Sequence, residues 1–305
     1  MNHHTGTATV CHGVTWATGN PTLMLANPAT ARLDHIDIVG HTLGFAVTST
    51  VRYCTGRYEF ADTYNVRPLP CPHQAEATSG DQCAGCNAQD EFRFAHRAHQ
   101  GHHIPAALQA YLAQPHWLYL ATFGPGAIKV GTAAAPRKTS RLDEQGPIHA
   151  TYLIEAPDGY NVRQLEETLS ARLDIPQTVR ATTKLQVLLH PDIDLTAHRS
   201  HVARAAAALT DLGYAPAPTP WSPPAAGHHL RNTQSGQHRA IYPHPLRTGE
   251  HGFHVGSCLG TRILVQLTPD PDAIRYILDL NKLKGMKISL GAFTSPATRT
   301  QTELF

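Results

Sequence analysis

Trp117-Leu118-Tyr119-Leu120-Ala121, then Phe123-Gly124-Pro125-Gly126, then Ile128-Lys129-Val130-Gly131 is an apolar run, a turn and a second apolar run. Two β runs joined by a Gly/Pro turn form a hairpin. A polar segment with Arg137, Lys138 and Arg141 follows, then a third strand candidate, 151–154, and a helix over 161–173. Asn161 with Gln164 three residues later has the form of a capping box, which predicts a helix start at Asn161. At ~100° per residue, Val162, Leu165, Leu169 and Leu173 make one apolar stripe, with Glu166 inside it and Glu167 well away. Burying an ionised carboxylate without a partner is costly, so Glu166 must face a cation, a metal or a polar cleft. The plainer alternative is a Glu at the stripe's edge that reaches solvent or pairs with an Arg.

The order of Tyr119, the turn, Lys129-Val130-Gly131, Arg141 and then Leu165-Glu166 on a helix resembles the GIY-YIG nuclease superfamily, over about residues 116 to 190. The resemblance implies a small α/β sandwich, a three-stranded antiparallel sheet with helices. It places Tyr119 at the first motif's Tyr, Gly131 at the motif glycine, Arg141 at the Arg and Glu166 at the Glu that binds Mg²⁺ or Mn²⁺. Trp117 and Leu118 replace the Gly and Ile of the first motif, a change of packing residues. Lys129 stands where the second motif has Tyr. A lysine binds phosphate as a point charge, but it is a poor base at neutral pH unless burial or a neighbouring cation lowers its pKa.

With 305 residues, 41% hydrophobic and 16% charged, the chain has ample length for a core. A net charge of +2 does not announce a basic nucleic-acid-binding domain, and the 21 histidines add positive charge only below about pH 6.5. There is no run of eighteen apolar residues. Met1-Asn2-His3-His4 lacks the charged and apolar regions of a signal peptide, so a cytoplasmic protein without a membrane partner is expected.

Four of the six cysteines, Cys54, Cys71, Cys83 and Cys86, fall in one window, and Cys83-Ala84-Gly85-Cys86 has the form of a knuckle in which Gly85 lets amides approach the sulfurs. In a reducing compartment this spacing points to a structural Zn²⁺ site, with His73 as an alternative ligand and a redox pair or free thiols as other readings. A zinc knuckle beside a GIY-YIG-like domain also resembles a bacterial domain-of-unknown-function family. Phe94 to His103 is rich in His and Arg; His96 and His99 could share a helix face and bind metal or phosphate, or form a solvated basic surface.

Elsewhere, strands are expected around Ile36–Val39 and Leu43–Val47 as an antiparallel pair, a helix over 105–113, a strand or buried segment at 185–189, and an Ala-rich helix from His198 to a Gly213 cap. Five prolines make 215–226 an extended linker. Strands return over 251–290, too few to bury both faces alone, so they should pack with the N-terminal strands. Val39-Gly40-His41-Thr42-Leu43-Gly44 is echoed by Val255-Gly256-Ser257-Cys258-Leu259-Gly260, which suggests two halves of one module.

The expected architecture is therefore α+β. An N-terminal β segment (1–104) carries the four-cysteine zinc knuckle (54–86), followed by the GIY-YIG-like domain (105–214), a Pro-rich linker (215–250) and a C-terminal β segment (251–305). The resemblance implies a metal-dependent phosphodiesterase or nuclease acting on DNA or RNA. In it Glu166 would hold the divalent ion, Arg141 and Lys129 would neutralise the scissile phosphate, and Tyr119 would orient or deprotonate water. The alternatives are a non-catalytic zinc-containing nucleic-acid-binding protein, or the same cleft turned to a small molecule.

Overall fold

The computed structural model describes residues 7–27, 29–93, 104–191, 194–232, 238–270 and 272–297. The His-rich segment with His96 and His99 lies outside them. The chain opens with β1 (Thr9–Thr15), β2 (Thr22–Asn27), β3 (Arg32–Asp37) and β4 (Thr42–Val47). The hairpin β5 (Arg57–Phe60) and β6 (Val66–Leu69), then α1 (Ala84–Gln89) and α2 (Ala106–Leu112), lead into a central unit. That unit holds β7 (His116–Gly124), β8 (Ala127–Ala134), α3 (Lys138–Gln145), β9 (His149–Ala156), α4 (Gly159–Leu173), α5 (Ala181–Gln186), α6 (Thr196–Asp211) and the two-residue β10 (Thr219–Pro220). Short helix α7 (His228–Arg231) and strands β11 (Arg239–Ile241), β12 (Glu250–Leu259), β13 (Arg262–Gln266), β14 (Arg275–Asp279) and β15 (Lys287–Leu290) follow.

The central sheet runs β10-β9-β7-β8, with the predicted hairpin β7–β8 at one end and β7 between its two long partners. Strand alternation sorts its side chains by face. Leu118, Leu120, Ile128, Val130 and Leu153 pack on Val162, Leu165 and Leu169 of α4 and Ala205 and Leu209 of α6. Tyr119, Ala121 and Phe123 point the other way, toward Leu142 of α3 and Trp221. The α4 stripe is as the periodicity predicts, but its start is not. Asp158, not Asn161, caps the helix by accepting the Asn161 N–H at 2.7 Å, because Gly159 and Tyr160 already adopt helical backbone. The 185–189 run is the end of α5 and a turn rather than a strand, and it buries Leu185 and Leu188.

The proline-rich stretch is extended, as its composition requires, but it does not hang free. Thr219 and Pro220 pair with Tyr152 and Thr151, and Trp221 is buried with its Nε1–H donated to Asp143 Oδ1 at 3.0 Å. Proline fits this edge position because it has no N–H to offer a further strand.

Both ends of the chain build one nine-stranded sheet, in the order β11-β14-β13-β12-β4-β15-β1-β2-β3. The expected β3–β4 pair does not form: β3 pairs with β2, while β4 lies between β12 and β15. The turn at Gly40 (φ +80°) sends the chain across to β12, where the Gly40 N–H bonds Val255 O at 2.8 Å. The echoed hexapeptides are not equivalent positions, since the first is a turn entering β4 and the second is the end of β12 and the turn after it. Side chains of both edge strands, Ile36 of β3 and Ala240 of β11, pack on one cluster around Phe45, Val255 and Ile288, so the sheet curls round a single core. A second cluster, with Ile148, Leu185, Leu259 and Ile277, ties this sheet to the central unit. There Gly146 (φ +63°) and Gly260 (φ +64°) bring two backbones together, and a Cβ on Gly146 would stand 2.6 Å from Gly260 N. Among the described residues no helix is long and apolar enough to cross a membrane.

Candidate functional site

The four predicted cysteines do converge. The sulfurs of Cys54, Cys71, Cys83 and Cys86 all lie within 4.8 Å of one another, and they could hold a metal ion. Cys54 and Cys71 flank the β5–β6 hairpin; Cys83 caps α1 and accepts the Cys86 N–H at 3.5 Å. That N–H is the main reason the Cys83 thiol falls to about 7. His73 is outside the cluster. The glycine that matters here is Gly56 rather than Gly85. Gly56 donates its N–H to Cys54 Sγ at 3.2 Å, has φ +80°, and would place a Cβ 1.8 Å from Leu69 O. Nothing lies within 4 Å of a Cβ on Gly85. Asp81 fastens the knuckle to the nine-stranded sheet by pairing with Arg52 and with Lys284 Nζ at 2.9 Å.

A second site forms on the central sheet. Tyr119 lies directly across from Gly131, and its ring fills the place where a Cβ would stand, 2.6 Å away. This explains a glycine at that position. Tyr119 is fully buried; burial pushes its hydroxyl pKa up, and Gln145 Nε2 donates to it at 2.9 Å. Lys129 is 9% exposed, with Nζ 5.8 Å from the Tyr119 ring centroid. Burial first, and the Arg141 guanidinium second, bring its ammonium down to about 8, which is the condition under which a lysine can act as a base near neutral pH. Glu166 is 4% exposed and its Oε2 accepts from Arg163 Nη1 at 2.6 Å, so the partner that its place in the stripe demands is an arginine one turn back.

Beside this group opens a cleft of about 110 Å³ where α2, β8, α3 and the start of α4 meet. Arg137, Arg141 and Arg163 line it together with His116 and Thr132. Arg137 is held by Glu144 at 2.6 Å and Arg163 by Glu166, whereas among the described residues no carboxylate pairs with Arg141. Its outer wall comes from the knuckle segment: Phe92 lies 5.5 Å from Tyr111, and Phe60 of β5 packs on both rings. Behind α3, Lys184 Nζ and Arg262 Nη1 both face the Gln145 carbonyl, at 3.4 and 3.3 Å, as cations do at a helix C-terminus. Burial, then Arg262 and Lys129, bring Lys184 to about 7.

Of the sequence-derived residues, Tyr119, Lys129, Gly131, Arg141 and Glu166 thus gather at one edge of the sheet, and the cysteines form a separate centre. Arg137, Arg163, His116, Thr132 and Lys184 were not foreseen. Only Arg163 had a legible signal, its i, i+3 spacing to Glu166.

Comparison with curated proteins and with solved structures finds no match in either. A family model does match, over residues 74–243; this span includes Cys83, Cys86 and the whole arginine cleft but leaves out Cys54, Cys71 and most of the nine-stranded sheet. Because it covers more than half of the 305 residues, the chain belongs to the family described as "Protein of unknown function (DUF2797)".

Proposed function

We propose that this chain is a zinc-containing nucleic-acid-binding protein that takes phosphate into the arginine cleft. The observation that carries this reading is the convergence of three guanidiniums on one cleft, with Arg141 left uncompensated among the described residues. Arginine forks match phosphate oxygens, and a local excess of positive charge serves a polyanion even when the net charge is only +2. Further support comes from the β9-β7-β8 order with Tyr119 on the middle strand and Gly131 opposite it, which suits a GIY-YIG-like unit. Tyr64 at the tip of the β5–β6 hairpin is 56% exposed and offers a face on which a base could stack. Four clustered thiols suit Zn²⁺, whose tetrahedral thiolate shell has sulfurs about 3.8 Å apart. Bound there, the ion would fix the hairpin that walls the cleft.

Hydrolysis is the second reading, and the observation favouring it is Lys129 at about 8, beside Arg141 and Glu166. A base there could take a proton from an attacking water. The donor set does not fit a resident Mg²⁺ or Mn²⁺: Glu166 is one carboxylate, already held by Arg163 and faced by Lys129, and two cations oppose a third.

The decisive test measures binding of single- and double-stranded DNA and RNA across a salt series, for wild type and Arg141→Gln. The variant should weaken binding to all sequences alike and reduce the salt slope by about one. An unchanged affinity and slope would remove the cleft from the interaction. Cleavage that disappears in Lys129→Met would promote the second reading. Metal analysis of Cys83→Ser tests the zinc assignment, which fails if the variant keeps its metal and its melting temperature.

A further inference from the structure

Within the reading of the cleft as a phosphate site, its charge and shape select one kind of phosphate. Arg137, Arg141 and Arg163 carry three positive charges against the carboxylates of Glu144 and Glu166, and the Lys129 ammonium faces Arg141, Glu166 and Arg163 from the sheet. The cluster therefore has an excess of about two positive charges while Lys129 is protonated. An internal phosphodiester brings one negative charge and two unesterified oxygens. A terminal phosphomonoester brings about 1.5 to 2 charges and three acceptor oxygens. Arg141 can offer its fork, and Arg137 and Arg163 add charge beside it, so three acceptor oxygens are better matched than two.

The walls add the second half of the ligand. Thr132 is 8% exposed, lines the cleft, and its hydroxyl makes no hydrogen bond among the described residues, so it has a donor to give. His116 has its Nδ1 2.8 Å from the Gln114 carbonyl, and burial lowers its pKa, so it is neutral at pH 7 and adds no charge. The Phe92 and Tyr111 rings, edge to face at 83°, line the same cleft as the arginines. Guanidiniums and aromatic rings thus share one cleft, chemistry that suits the two parts of a nucleotide. Gly159 keeps the start of α4 tight against the floor: a Cβ there would meet Leu112 at 2.7 Å and His116 at 3.1 Å.

We propose that the cleft binds the phosphomonoester of a nucleotide, either a free mononucleotide or the phosphorylated end of a nucleic-acid strand. The experiment compares short single strands bearing a 5′-phosphate, a 3′-phosphate or only hydroxyl ends with a circularised strand and a free mononucleotide. A phosphorylated end should bind about tenfold more tightly than the hydroxyl end or the circle, and the preference should fall below about pH 6, where the monoester takes up a proton. Arg141→Gln and, independently, Thr132→Ala should collapse the preference while both variants keep the wild-type melting profile. Binding of the mononucleotide alone, without strands, supports the inference and withdraws the nucleic-acid reading. Equal affinity for phosphorylated, hydroxyl-ended and circular strands, with Arg141→Gln weakening all alike, overturns the inference and leaves the nucleic-acid reading standing. No binding of strands or mononucleotide overturns both.

Discussion

The nine-stranded sheet and the helix α4 that packs on the central sheet each carry a buried carboxylate beside an arginine, and the chain treats the two carboxylates differently. Asp279, at the end of β14, has Arg262 at 3.7 Å, the Thr261 hydroxyl at 2.6 Å and the Asn281 amide at 3.0 Å. Its Oδ1 takes two hydrogen bonds from its own near neighbours. Glu166 of α4 has one such partner among the described residues, Arg163, yet it faces Lys129 as well, which Arg141 also faces. A buried ion pair whose carboxylate is tied to a neighbouring hydroxyl and amide belongs to the scaffold. A pair left in surplus positive charge, next to an opening, is arranged for something that arrives.

That contrast can be broken in stability first. Asp279→Asn leaves Arg262 buried without its counter-charge and should cost about 3 kcal/mol, read as a lower urea midpoint at unchanged slope. Glu166→Gln should cost about 1 kcal/mol or less, because Arg163 is a quarter exposed and can turn to solvent. If the second variant is the less stable, the distinction between scaffold and site is wrong. In binding the order reverses. Arg141→Gln should lose about tenfold in affinity for phosphorylated strands, about 1.4 kcal/mol, whereas Asp279→Asn should leave the affinity of its folded form unchanged. Glu166→Gln removes a competing anion and should tighten binding a few-fold; a loss of affinity would mean that the carboxylate holds the ligand through another group.

The smallest effect is a pH step. With its folded pKa lowered to about 8, Lys129 is charged below that value and neutral above it. Affinity for an anion should therefore fall by roughly threefold as pH rises through 8, and Lys129→Met should abolish the step. The stability sign is opposite. The penalty for burying the ammonium is present in full below pH 8 and disappears as pH rises to the free-lysine value, so stability should rise over that window.

The hairpin, the α4 stripe and the cysteine spacing were legible because each is a local pattern of turn residues, periodicity or ligand type. The cleft was not, since Arg137, Thr132 and His116 sit on three elements whose meeting is set by packing. The knuckle glycine was misread for a related reason. Gly85 lies between the ligands, but the constraint acts on Gly56, through a carbonyl at Leu69 thirteen residues away. Strand β1 carries His12 and the bulge at Gly13 in place of clean alternation, which hid it. The partners of β4 escaped because register across more than two hundred residues leaves no mark in a local window.

The place of β15 between β4 and β1 has a consequence for synthesis. Thr9 bonds Ile288 across 279 positions, so the first four strands leave the ribosome long before the strand that joins them. At about 5–20 residues per second, that interval is roughly 10–50 s. During it β1 and β4 each present an open edge to other chains. The knuckle and the central sheet, whose contacts are closer in sequence, can form meanwhile. The nascent protein thus acquires its cleft first and its scaffold last.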